Sequence, residues 1–102
     1  LTSSEIIQIA TRNGALSQGR EDCGDVKVGN RADLVVLASD TPWMVPCDDL
    51  TGALVYSAQG SDVILTMVDG KVLYKDGMYT TIDIERALAE VTASRKRIMA
   101  QL

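Results

Sequence analysis

The side chains able to carry chemistry are few: two cysteines, Cys23 and Cys47, and the acidic pairs Glu21-Asp22 and Asp48-Asp49. No histidine occurs among the 102 residues. That absence removes Ser-His-Asp and Cys-His nucleophilic sites and most transition-metal sites. Carboxylates alone can hold Ca2+ or Mg2+, but neither acidic pair has the regular ligand spacing of an EF-hand loop. Both read as helix caps or solvated surface. The two cysteines are too few and too far apart for a zinc ribbon. Arg20 is the only cation near Cys23 in sequence, so neither thiol reads as a nucleophile, and two free thiols are expected.

Glycine-rich phosphate loops are missing as well. Gly24, Gly29, Gly60, Gly70 and Gly77 each stand singly at turns. Gln59-Gly60-Ser61-Asp62 precedes a strand pattern, the wrong order for a phosphate cradle at a helix N-terminus. It reads as a tight turn in which Asp62 or Ser61 bonds its own backbone. Trp43 and Met44, between two prolines, suit an exposed contact element and a core plug equally well. The sequence therefore assigns no catalytic, cofactor-binding or metal-binding residue. It reads as an accessory piece of a larger protein, inactive by itself.

The elements that would have to position such groups can be read in order. Thr2-Ser3-Ser4-Glu5 is a capping box opening a helix to about Asn13, with Ile6, Ile9 and Ala10 on one face and Asn13-Gly14 as its left-handed stop. One more turn over Ala15–Gln18 precedes the polar stretch 19–25. Val26-Lys27-Val28 alternates like a strand. Leu34-Val35-Val36-Leu37 is apolar on both faces, as in a strand buried on both sides. Pro42 and Pro46 make 41–46 extended loop. Asp48-Asp49 caps a short helix over 50–58. Asp69-Gly70 joins strands 63–68 and 71–75 in a hairpin. Met78-Tyr79-Thr80 adds a short extension. From Asp83 onward, Ile84, Ala87, Leu88, Val91, Ile98 and Leu102 recur at helical spacing.

Composition sets the outer limits. A length of 102 residues is one domain at most, well short of the roughly 200 to 250 of a closed (β/α)8 barrel. With 46% hydrophobic residues the chain is globular rather than disordered. A net charge of −4 argues against sequence-independent nucleic-acid binding. The basic run Arg95-Lys96-Arg97 falls where it opposes the negative end of a helix dipole. No apolar run reaches the roughly 20 residues of a membrane span, and no secretory signal is visible, so a cytoplasmic location is expected. Opening on Leu1, inside a helix-start pattern, suggests a piece of a longer protein. The fold class is α+β: a partial β-sandwich with a β-hairpin, flanked by an N-terminal and a C-terminal helix. Three or four strands with one two-sided apolar run need further strands to cover them.

Gly24-Asp25-Val26-Lys27-Val28-Gly29-Asn30-Arg31-Ala32-Asp33-Leu34-Val35-Val36-Leu37 resembles the G-x-[I/V]-x-x-G-x-x-A-D-L-V-V-L signature of the amidohydrolase superfamily. Leu54–Val63 is similar to its L-V-Y-x-A-x-G-S-D-V segment, and Val68–Gly77 to its V-D-G-K-x-V-x-x-D-G hairpin. Leu1-Thr2-Ser3-Ser4-Glu5 and Ala10–Ala15 resemble the final barrel helix, L-T-x-x-E and A-T-x-N-G-A. The resemblance implies three parts: residues 1–18 as the last helix of a TIM barrel, 19–80 as strands and short helix of a flanking β-sandwich, and 81–102 as a C-terminal helix. It further implies a parent that hydrolyses non-peptide C–N bonds, a deaminase or chlorohydrolase of nitrogen heterocycles. Its zinc or iron would be held by barrel histidines and an aspartate with no matching position here.

The partners so implied are the parent's own barrel and a further copy, a homo-oligomer formed through unpaired strands or an exchanged helix, with no nucleic acid and no membrane. A reading from another class is a stand-alone protein-interaction module derived from such an enzyme. A ligand binder using Trp43 and Tyr56 has no convergent polar groups in sequence to support it.

Overall fold

A computed structural model describes residues 1–102. The N-terminal helix begins as the sequence dictates. Thr2 Oγ1 accepts the Glu5 amide at 3.2 Å, and Glu5 Oε2 accepts the Thr2 amide at 3.3 Å, closing the capping box. Helix α1 (Ser3–Gln8) does not stop at Asn13-Gly14, which corrects the expectation drawn from that dipeptide. Gly14 is right-handed, and the chain passes through a π-turn, Ile9–Asn13, into α2 (Gly14–Ser17). The Thr11 hydroxyl donates to the Ile7 carbonyl at 2.7 Å inside this widened turn, a side-chain bond that competes with the helical ladder. The left-handed stop falls at Gly19 (φ 73°), where the Gly19 amide bonds Leu16 O and the Arg20 amide bonds Ala15 O. That pair of bonds satisfies the last carbonyls in a Schellman arrangement.

Four antiparallel strands form one meander in the order β1-β2-β3-β4: β1 (Leu34–Leu37), β2 (Val63–Val68), β3 (Lys71–Lys75) and β4 (Met78–Tyr79). Asp69 and Gly70 both take positive φ (51° and 78°), the type I′ geometry that the Asp-Gly signal implied. Cross-strand partners share a face, so Leu34 and Met67, then Val36 and Leu65, line one side. Val35, Thr66, Tyr74 and Tyr79 line the other, where the two tyrosine rings meet edge-on at 5.1 Å. Neither side is buried: Val35 and Val36 are 54% and 45% exposed. The two-sided burial expected for β1 is thus not achieved within this chain. Val26-Lys27-Val28 forms no strand, and both valines lie open to solvent, because no neighbouring backbone in this chain offers them a ladder. A second sheet facing the first, as a sandwich requires, is not formed by these residues.

The long β1–β2 connection carries α3 (Leu50–Tyr56), on which α1 packs. The terminal helix α4 (Ile84–Ala100) is capped by Asp83, whose carboxylate accepts the Arg86 amide at 3.1 Å. No residue of α4 is buried, and Leu88, Val91 and Ile98 stay more than half exposed. Burial is sparse throughout, being complete only at Cys23, Met44 and Asp62. The accessible surface is 7966 Å2, against about 5,600 Å2 for a folded monomer of 11.0 kDa. The radius of gyration is 17.7 Å, against about 13 Å for a compact domain of this length.

Candidate functional site

The most enclosed polar group is Asp62, 2% exposed, at the end of the short 3-10 turn Gly60–Asp62. Its carboxylate accepts the Trp43 indole N–H at 2.8 and 3.1 Å and the Gln59 amide at 2.8 Å. The Asp62 carbonyl in turn accepts the Ala38 amide at 2.8 Å, just beyond β1. Asp62 therefore does bond its own turn, as the sequence suggested. It also ties the 41–46 loop to the start of β2 across 19 residues, which no local spacing discloses. Trp43 divides its roles: the indole nitrogen is bonded inward while the ring stays 42% exposed, and its neighbour Met44 is buried. The two N–H donors satisfy this buried carboxylate.

A second cluster is ionic. Arg31 Nε reaches Asp22 Oδ2 at 2.6 Å and its Nη1 lies 3.7 Å from Asp69 Oδ2 in the hairpin turn. Arg20 meets Asp33 at 3.5 Å, and Asp33 Oδ1 accepts the Asp69 amide at 2.7 Å. The hydrogen-bonded Arg31 guanidinium holds the Asp22 carboxyl below its ordinary range, and Asp22 in turn raises the Arg31 pKa. These charges fasten the 20–33 loop to the β2–β3 turn. Of the acidic pairs weighed as metal ligands, Asp22 belongs to this clamp. Asp49 stands at the N-cap position of α3, its carboxyl held low by the nearby Gly52 amide and by the Thr51 hydroxyl at 2.8 Å.

A shallow groove of about 440 Å3 lies between the first helix and the sheet, with Thr11, Ala15, Cys23, Leu34, Leu37 and Leu54 among its walls. Arg12 ties the first helix to the loop beside it by donating to the carbonyls of Glu21 (2.9 Å) and Cys23 (2.7 Å). Gly24 (φ 94°) is required there, since a Cβ would stand 2.9 Å from Ala15 Cβ and Arg12 Cα. Cys23 and Cys47 are both free thiols. No three His, Cys, Asp or Glu side chains converge on a point where a metal ion would sit. The groove is apolar, and what it can do is receive packing. No helix is long and apolar enough to cross a membrane.

Arg12, Arg31 and the Trp43–Asp62 pair escaped the sequence reading because their partners lie 9 to 38 residues away. The one usable signal was type: a lone Trp and an Asp in a tight turn each require a polar partner when buried.

The family model described as "Amidohydrolase family" matches residues 1–73, which hold the first helix, the ionic clamp and the Trp43–Asp62 anchor. The 5'-deoxyadenosine deaminase of Methanosarcina mazei is 36% identical over 102 residues, covering 100% of this chain and 23% of that protein. The 5-methylthioadenosine/S-adenosylhomocysteine deaminase of Nitratidesulfovibrio vulgaris (strain Hildenborough) is 38% identical over 100 residues, covering 98% and 23%. Among solved structures, an adenosine deaminase from Xanthomonas campestris with bound zinc superposes with a TM-score of 0.94 at 26% identity, over 98% of this chain and 23% of that one. Atrazine chlorohydrolase TrzN from Arthrobacter aurescens TC1, complexed with zinc, gives 0.84 at 30% identity, over 91% and 20%. The chain thus spans about a quarter of the length of the relatives it matches. From the first helix into β3 its residues answer to one family pattern, and the chain belongs to the amidohydrolase family.

Proposed function

We propose that this chain is the C-terminal scaffold of a metal-dependent amidohydrolase and performs no catalysis by itself. The observation that carries this reading is the unmet surface. A sheet open on both faces, a helix with its apolar stripe in solvent and an accessible area of 7966 Å2 leave roughly 2,300 Å2 more exposed than a self-sufficient domain would. At about 25 cal/mol per Å2 of apolar area, covering even half of that excess is a large driving force for association. The remainder of the parent would supply both the covering strands of the sandwich and the barrel that holds the metal. Residues 1–18 would then be the last barrel helix, anchored through Arg12 to the loop that leads into β1.

The parent's reaction is a hydrolytic displacement on a nitrogen heterocycle. Deamination is favoured over dechlorination because the M. mazei and N. vulgaris deaminases match at 36% and 38% identity over nearly the whole chain, and the X. campestris adenosine deaminase superposes at a TM-score of 0.94 against 0.84 for the chlorohydrolase. Within the parent the chain's own residues would brace rather than react, with Asp62 and Arg31 fixing loops against the sheet.

The test is a transplant. This chain replaces its matching segment in the M. mazei deaminase, and zinc content and 5'-deoxyadenosine turnover are measured for the chimera, for the deaminase lacking the segment, and for this chain alone. A metal-loaded, active chimera beside two inactive controls is expected. Stoichiometric zinc together with turnover in the isolated chain would overturn the proposal. A chimera that folds no better than the truncated deaminase would favour an independent interaction module.

A further inference from the structure

The first helix has two places to end, and it uses the second. Asn13-Gly14 carries a left-handed stop signal, yet Gly14 is right-handed (φ −60°) and the left-handed turn comes at Gly19 (φ 73°). The chain crosses the first stop by widening. The Gly14 amide reaches back five residues to Ile9 O, and the Thr11 hydroxyl takes the Ile7 carbonyl at 2.7 Å. A π-turn is rare, and asparagine and glycine are poor residues to carry a helix onward. Contacts from outside the helix therefore hold it in this form. Arg12, within the π-turn, donates to the Glu21 and Cys23 carbonyls at 2.9 and 2.7 Å. Gly24 lies so close to the same turn that a Cβ on it would stand 2.9 Å from Arg12 Cα and 3.0 Å from Thr11 O. Cys23, beside both contacts, is only 6% exposed and shares its groove with Thr11 and Ala15.

We infer that residues 9–19 form a conditional joint with two states. In the closed state, which the structure shows, Arg12 is latched to the loop and the helix runs on to Ser17. In the open state Arg12 lets go, Gly14 turns left-handed and the helix ends at Asn13. Gly24, seated on Thr11, Arg12 and Ala15, then loses its support, and Cys23 is uncovered with it. Each state has its own way of satisfying the helix end. Closed, the Gly19 and Arg20 amides bond the Leu16 and Ala15 carbonyls. Open, the amides of Gly14 and Ala15 take the corresponding places one turn earlier. The joint exchanges one capped end for another and leaves no row of carbonyls unpaired. It stands between the first helix and β1, so its state decides whether those two elements move as one body.

The test is maleimide labelling of the full chain, with the two thiols followed separately by peptide mass. Arg12→Gln weakens the latch and should raise the Cys23 rate by about tenfold, the factor to which one lost hydrogen bond amounts. Cys47 lies outside the joint and should keep its original rate. Gly14→Ala pushes the other way. Alanine fits the closed state, where a Cβ would stand 3.4 Å from Ile9 O, and it opposes the left-handed open one. It should slow Cys23 labelling below that of the unsubstituted chain. In the Arg12→Gln/Gly14→Ala double variant it should cancel most of the rise, which a loop merely held down by Arg12 would not show. An unchanged Cys23 rate in Arg12→Gln, or a rise shared equally by Cys47, would overturn the inference. So would a Cys23 rate that Gly14→Ala leaves untouched, because the loop would then lift from a helix that does not change.

Discussion

The Asp62 side chain is almost wholly enclosed, and its carboxyl oxygens accept the Trp43 indole N–H and the Gln59 amide. Asp62→Ala strands the Trp43 indole N–H and the Gln59 amide together. The expected loss is about 1–3 kcal/mol for each donor left without a partner in a buried setting. Asp62→Asn retains one acceptor oxygen and should cost less. Trp43 is the only tryptophan, so its fluorescence during urea unfolding reports on the site directly. Equal midpoints for the unsubstituted chain and Asp62→Ala would show that the anchor contributes nothing. The same residue illustrates why a buried carboxylate is not by itself a catalytic signal: its partners are donors fixed by the fold, and no substrate-sized cavity reaches it.

At the scale of elements, the loop from α2 to β1 is held less by packing than by charge. The Arg31 amide bonds Asp22 O at 2.8 Å while its guanidinium spans Asp22 and Asp69, so one residue joins the loop to the hairpin turn. The Asp22 carboxyl is depressed in the folded state below its ordinary 3.8. A depressed folded value means that the contribution is fully present above pH 3.8 and is lost as pH falls through the lower, folded-state value. Amide exchange at Arg31 should accordingly stay slow near neutrality and quicken on acidification, beyond the intrinsic pH dependence of exchange. In Arg31→Gln this additional acid sensitivity should vanish. Protection that is the same in both chains at every pH would mean that the clamp is ornamental. Because the groups are solvent-exposed, added salt should weaken the clamp in the same direction.

The molecule as a whole is extended, with principal dimensions of 50 × 36 × 28 Å. Its elements are well formed locally, yet they enclose almost no interior. Small-angle scattering of the dilute chain should give a radius of gyration near 17.7 Å rather than the roughly 13 Å of a compact domain. A value near the lower figure would mean that the sheet and α4 close on one another, which would remove the scaffold reading. Exposed apolar faces of this extent fit the scaffold role proposed above.

Much of this was decided by the sequence alone, wherever the deciding interactions are local. Thr2-Ser3-Ser4-Glu5 started a helix, Asp69-Gly70 turned a hairpin, and Asp83 capped α4, since each rests on bonds within a few residues. The family was legible in Gly24–Leu37 and Leu54–Val63, segments that the family model covers. Other features required tertiary structure. Asn13-Gly14 carries a stop signal, but helical bonding through the π-turn overrode it and moved the stop to Gly19. Val26–Val28 has strand chemistry, and strand identity is conferred by a neighbouring backbone that this chain lacks. Leu34–Leu37 has the composition of a doubly buried strand, but burial belongs to whatever covers a face and not to the residues on it. The pairing of Trp43 with Asp62, and of Arg31 with both Asp22 and Asp69, emerged only when the chain folded back on itself.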